Sequence, residues 1–292
     1  MNTVQKTLTA LLAAMALLSC SVVNTGDQNS VTDTQALNAA IDARSDADKV
    51  RDPYRHPAQT LAYFGIAPDM TVVEVLPGGG WYSRILAPYL ADQGVLNGLN
   101  YADDMWPLFG FFDAKAIESR IQAMKSFGDS VSGWGGNGEN STGFAFGAIP
   151  ESAHGSVDAV LVIRAFHHLN RFETKAGTRT QALADLFALL KPDGIVGVVQ
   201  HRAAETAADD WAEGKAGYVK QSVVVNAFEA AGFQLVGSSD INANAKDQPT
   251  ASDSVWRLPP SFRTSKEDPV LREKMQAIGE SDRMTLLFRK PE

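Results

Sequence analysis

One cysteine, Cys20, stands among the 292 residues, so no disulfide within the chain can support the fold and a hydrophobic core must do so. Positive charge is scarce. Lys and Arg number 26 against 34 Asp and Glu, which leaves a net charge of −8, and no basic run occurs. A nucleic-acid partner needs a basic face, so none is expected, and a polybasic membrane patch is excluded on the same ground. Histidine is sparse as well. His56, His154, His167, His168 and His201 form no H-x-x-x-H pair and no Cys/His cluster, so no metal site is expected. What is present is ordinary for a globular protein, with 45% hydrophobic and 21% charged residues. The length suits one large α/β domain with additions, or at most two domains.

The first residues read as an export signal. Lys6 precedes a mostly Ala and Leu run over 8–18, too short to span a bilayer as a mature helix. The run ends in Leu17-Leu18-Ser19-Cys20, which resembles the bacterial lipobox, where cleavage precedes the cysteine and the thiol is lipidated. Residues 1–19 are then a lipoprotein signal peptide and Cys20 the lipidated first residue. Ser21 follows in place of the Asp that would suggest inner-membrane retention. The expected location is therefore the periplasmic face of a bacterial membrane, outer membrane by default, with contact only through the lipid. Residues 20–35 are small and polar and read as a flexible tether, leaving 36–292 as the folded domain.

Within that domain, apolar spacing predicts a helix over 36–50 and a short one over 59–64. A buried strand follows over 70–76 (MTVVEVL), then the Gly-rich turn Pro77-Gly78-Gly79-Gly80, then a helix over 81–90. Further strands are expected over 94–100, 157–163, 195–200, 233–238 and 283–289, and helices over 114–127, 179–190 and 219–231. The stretches 128–143 and 240–268 read as long loops, the first Gly/Ser/Asn-rich and mobile. Strands alternating with helices predict a doubly wound, mostly parallel seven-stranded sheet, with the last two strands as an antiparallel addition.

The turn at 77–80 lies at the carboxyl end of a parallel strand, where ligands of such folds bind. Its glycines let a ligand approach the backbone, and the next helix offers free N–H groups. It lacks the Lys-Ser/Thr of a P-loop, and a nicotinamide fingerprint would need Gly where Ser83 stands and an acid where Asn100 ends the next strand. An acid inside the strand, Glu74, ahead of Gly78-Gly79-Gly80 fits a third pattern, methyltransferase motif I, with Leu76 in place of its first glycine. A charge in an apolar strand is costly without a partner or a role.

The run 73–90 (VEVLPGGGWYSRILAPYL) resembles a bacterial family of predicted S-adenosylmethionine-dependent, class I Rossmann-like methyltransferases. Matching pieces are Arg51-Asp52-Pro53-Tyr54-Arg55, Arg164-Ala165-Phe166-His167-His168, His201-Arg202, Glu229-Ala230-Ala231-Gly232-Phe233 and Asp282-Arg283. The chain departs from the family pattern at Ala165 and His168, where Asn and Asp are usual. The acid expected at the end of the second strand is Asn100, with Asp103 and Asp104 just beyond. The resemblance implies S-adenosylmethionine as cofactor and a small-molecule acceptor. Glu74, Gly78, Gly79, Gly80 and Asn100 would hold the cofactor, and His167, His168 and Arg164 would supply the chemistry. Arg164 is further expected to pair with Glu74 or to bind an acidic group. Because the methyl donor is made in the cytoplasm, the competing reading is a non-catalytic binding lipoprotein that kept the fold.

Trp106, Phe109, Phe111 and Phe112 read equally as a cavity wall and as local packing, and Trp81 and Tyr82 as pocket or core. Replacing Cys20 by Ser should move the protein from the membrane fraction to the soluble one on cell fractionation. A variant that stays as firmly bound as the parent would overturn the anchor.

Overall fold

Runs rich in Val, Leu and Ile with almost no charge can be strands buried on both faces, and such strands pair in parallel beneath helices. The structure, a computed structural model, describes residues 31–91 and 93–292. Its strands are β1 (Thr71–Val75), β2 (Val95–Asn100), β3 (Gly143–Ala145), β4 (Val157–Ile163), β5 (Leu190–Ala203), β6 (Val219–Lys220), β7 (Gln234–Ser239) and β8 (Arg283–Arg289). They lie in the order β3-β2-β1-β4-β5-β8-β7, with β6 pairing only with the end of β5. Pairing is parallel from β3 through to β5, and β8 runs against both of its neighbours. Of the two strands expected to be antiparallel, therefore, only β8 is. The helix Gln221–Ala230 carries the chain back past the sheet, so β7 starts from the same end as β5.

From β1 the chain steps outward to β2 and β3, then returns to the other side of β1 as β4. That reversal opens a crevice at the carboxyl ends of β1 and β4. Alternate strand residues feed two cores. Val72, Leu161 and Val199 pack with Leu37, Leu61, Phe64, Ile85 and Leu86 on one face. Val73, Val160 and Val162 pack with Phe166, Leu186, Phe228 and Phe288 on the other.

The signal segment, Cys20 and the tether as far as residue 30 lie outside the described residues. Asp33 caps the helix Thr34–Asp42 by accepting the Ala36 N–H, so the last residues of the stretch read as tether are helical. The single helix expected over 36–50 is two. Ser45 caps a second helix, Asp46–Lys49, and breaks the first. The strand expected over 195–200 starts earlier, at Leu190, and takes in Lys191-Pro192-Asp193-Gly194 beside a register shift against β4. A helix at Pro269–Ile278 had no counterpart in the expected elements. Among the described residues no helix is long and apolar enough to cross a membrane.

The expected loop over 128–143 is largely packed structure. Phe127 and Val131 are one helical turn apart and both buried, so they seat a helix at Phe127–Gly133. Glycine there serves close approach. A Cβ on Gly138 would lie 2.1 Å from the carbonyl oxygen of Gly128 and 2.1 Å from the Ser132 hydroxyl. Gly138→Ala should accordingly destabilise the protein by about 1–3 kcal/mol, as overpacking does. Gly133→Ala meets open space and should be neutral or slightly stabilising. Urea midpoints of the two variants check this, and equal effects would show that the glycines are linker residues.

Candidate active site

A cavity of about 810 Å³ opens at the carboxyl ends of β1, β2 and β4. Its floor is the turn that follows β1. Leu76, Gly78 and Gly80 all adopt positive φ there, which lets the chain reverse into the helix Ser83–Leu90. Leu76, Pro77, Gly78 and Gly79 line the cavity. The N–H groups of Gly78 and Gly79 bond to no described residue, whereas that of Gly80 donates to the Pro77 carbonyl. Gly80 itself does not line the cavity. A Cβ on it would sit 2.7 Å from the Trp134 ring, so its smallness serves packing. Arg84 holds the turn from outside, donating to the Gly79 carbonyl at 2.6 Å and pairing with Asp48.

Glu74 does not line the cavity, and it makes no ion pair with Arg164. Its buried carboxylate lies under the turn and accepts a 2.5 Å hydrogen bond from the Ser83 hydroxyl, tying β1 to the start of the helix. Burial pushes the Glu74 carboxyl up to about 7, against the opposing pulls of Ser83 and Arg164.

Asn100 ends β2 on the cavity wall. Its Oδ1 accepts the Tyr101 N–H at 2.9 Å, and its Nδ2 is unbonded within the described residues. Asp103 and Asp104 border a neighbouring groove instead. Trp106, Phe109, Phe111 and Phe112 all reach the cavity, opposite Phe127 and Trp134, and Phe111 is 68% exposed. Trp81 is not part of that wall. Its ring lies between the guanidinium groups of Arg44 and Arg55, at 4.7 and 4.4 Å. Tyr82 is core.

Of the two histidines after β4, only one borders the cavity. His168 lines the cavity, its ring edge-on to Tyr101 and Phe109. Burial, His167 and Arg171 hold its pKa well below the usual range, so the ring is neutral at pH 7. His167 does not line that cavity and is buried against the His168 ring, 4.0 Å between centroids, with His201 and Trp256 as its other ring contacts. Gln200 donates to the carbonyls of His201 and Gly217, which turns its own oxygen toward His167. His167 therefore carries its proton on Nδ1, donating to Gln200 at 3.1 Å, and burial lowers its pKa to about 4. Among the described residues no group of three or more His, Cys, Asp or Glu is placed to hold a metal.

Arg164 follows β4 with φ +56, and its backbone N–H continues the ladder to Val199. Its side chain lines the large cavity and also a second, smaller cleft of about 190 Å³. His201 borders only the small cleft, and Arg202 turns away to pair with Asp282. The sequence did not single out Arg51, Arg55 and Glu280, which also line the small cleft. The Arg51–Arg55 run was noted only for its resemblance, and nothing near Glu280 in sequence signals its partners.

No family model matches the chain, and no curated protein matches it. Among solved structures it is similar to the 4+2 cyclase SpnF, with a TM-score of 0.50, 14% identity, and 90% of this chain and 97% of that one covered. A SAM dependent methyltransferase from Aquifex aeolicus gives a TM-score of 0.45 and 16% identity over 72% and 93% of the two chains. The 1,6-didemethyltoxoflavin-N1-methyltransferase of Burkholderia thailandensis, solved with S-adenosylhomocysteine, gives 0.43 and 15% over 89% and 87%. At this identity the likeness is one of fold. Together with the strand order it gives the methyltransferase-like Rossmann sheet expected from the sequence.

The raised pKa of Glu74 has a measurable consequence. Its folded value of about 7 lies above the ordinary 4.5, so the folded state holds the proton more tightly. Stability should fall as pH rises from about 4.5 to 7, by up to about 3 kcal/mol at 1.36 kcal/mol per unit. Glu74→Gln removes that loss, so the variant should match the parent at pH 5 and exceed it at pH 8 in urea unfolding. An equal gap at both pH values would show that Glu74 is not buried as described.

Proposed function

We propose that this protein is an S-adenosylmethionine-dependent methyltransferase acting on a small-molecule acceptor. The observation that carries the reading is one cavity on which Gly78, Gly79 and Asn100 open from two adjacent strand ends, with an aromatic wall facing them. Its volume of about 810 Å³ falls in the ~300–1,000 Å³ range of small-molecule sites. The residues fit the cofactor. The unbonded N–H groups of Gly78 and Gly79, close to a helix start, suit its carboxylate. Asn100 Nδ2 suits a ribose oxygen, and Trp106, Phe112 and Trp134 offer faces to a purine. Bound there, S-adenosylmethionine would supply an electrophilic methyl group carried on a sulfonium sulfur, which would leave as a neutral thioether keeping the C–S electron pair.

The chain's own contribution is placement. The turn and Asn100 would fix the donor, and Arg164 and His168 line the same cavity beside it. His168, neutral at pH 7, is the ring positioned to accept the proton an acceptor loses as its new bond forms. His167 holds the local backbone through Gln200. We also propose that a lipid on Cys20 anchors the domain at the periplasmic face of a bacterial membrane, the outer membrane by default. That location separates the enzyme from a donor made in the cytoplasm, which makes direct binding the decisive measurement.

Calorimetry with S-adenosylhomocysteine should give one site of micromolar affinity, about −8 kcal/mol. Gly79→Val should weaken binding at least tenfold without moving the unfolding midpoint, because its Cβ enters open space. Gly80→Val should instead lower stability by about 1–3 kcal/mol through its clash with Trp134. Asn100→Asp should tighten binding several-fold, since a charged acceptor strengthens a hydrogen bond by about 1 kcal/mol. No binding by the folded parent protein would overturn the proposal.

A further inference from the structure

The small cleft beyond Arg164 has a charge imbalance that the methyl donor does not account for. Arg51, Arg55, Arg164 and Arg283 surround a single carboxylate, Glu280. Glu280 is fully engaged. Its Oε1 accepts from Arg51 at 2.7 Å and from Arg55 at 3.1 Å, and its Oε2 accepts from Arg283 at 3.1 Å. Burial alone would raise its pKa, but Arg283, Arg55, Arg164 and Arg51 outweigh that and hold it at about 2. Asp52 is engaged by Arg44, and Glu74 by Ser83. Four guanidinium groups against one carboxylate leave three positive charges uncompensated in a largely buried place.

Arg164 is the one of the four whose guanidinium has no hydrogen bond or ion pair with a described residue. Half-buried, it lines both cavities and shares the smaller one with Arg51 and Arg55. A buried, unpaired cation is costly unless an anion meets it. Planar guanidinium groups match the two oxygens of a carboxylate or the oxygens of a phosphate. The cleft's volume of about 190 Å³ admits such a group and little more, so the rest of the ligand must extend past Arg164 into the larger cavity. Trp256 and Ser261, from the segment that covers the cleft, complete its outer wall.

We infer that the cleft between Arg51, Arg55 and Arg164 binds a carboxylate or phosphate of the methyl acceptor, which makes the acceptor an anionic small molecule. This rests on the methyl-transfer reading above. The donor's own carboxylate is the other possible source of an oxyanion. In the reading above that carboxylate goes to the free Gly78 and Gly79 N–H groups, which line the larger cavity and not the cleft.

The test is calorimetric titration of the purified protein with inorganic phosphate and, separately, with glutarate, each with and without saturating S-adenosylhomocysteine. One-site binding of at least one anion is expected, unchanged by S-adenosylhomocysteine. Arg164→Gln should weaken it at least tenfold with a thermal midpoint equal to or above the parent's, because its side chain makes no bond that supports the fold and its charge is uncompensated. Arg51→Gln should weaken it several-fold, and if that variant unfolds, Arg164→Gln decides. Absence of saturable anion binding, or equal binding in a folded Arg164→Gln protein, would overturn the inference. Competition by S-adenosylhomocysteine would overturn it too, since the cleft would then belong to the donor. Arg164-dependent anion binding in a protein that does not bind S-adenosylhomocysteine would support the anion cleft and overturn the methyl-transfer reading alone.

Discussion

Glu280 joins parts of the chain that are 225 residues apart in sequence. It takes Arg51 and Arg55 from the segment before the first strand and Arg283 from the start of β8. Tyr54 adds its carbonyl to Arg283 across the same seam. Without this carboxylate several arginines would lie buried and mutually repelling, and the segment 51–55 would have no reason to dock against the last strand. The docking then determines the rest. It places Arg55 over Trp81, Trp81 over Asp48 through its indole N–H, and Asp48 against Arg84, whose other nitrogen holds the Gly79 carbonyl. A line of contacts thus runs from the C-terminal strand to the outer side of the glycine turn.

The turn itself divides into an inner and an outer half. Gly78 and Gly79 present bare backbone to the cavity, while Gly80 gives up its side chain to Trp134. Beneath them Glu74 and Ser83 fasten strand to helix with a bond that works with the carboxyl protonated or charged. The carboxylate that looked like a ligand contact in sequence is therefore a brace. It positions the backbone groups that do face the cavity, at the cost of a buried ionisable group.

Much of the fold was legible. Strand periodicity placed β1, β2, β4 and β8 within a residue or so, because fully buried strands are read directly as β-branched runs between turn residues. Glycine and serine in sequence do not distinguish flexibility from close packing, and the stretch around Gly128 and Gly138 is packed too closely for side chains. The direction of β7 was not legible either, because it depends on which edge the preceding helix crosses.

The sequence by itself determined the alternation of strands and helices, the glycine turn after β1 and the residues at the strand ends, Asn100 and Arg164. Each follows from local periodicity and from backbone conformations that few residues adopt. Only the tertiary structure decided which of those residues face the cavity. Glu74 and Ser83 are nine positions apart and bond. His167 and His168 touch ring to ring, yet only His168 borders the cavity, and Arg51, Arg55 and Glu280 meet from distant parts of the chain. The reason is physical. Side-chain direction at the end of a strand is set by the packing of whatever crosses above it, and that neighbour comes from elsewhere in the sequence.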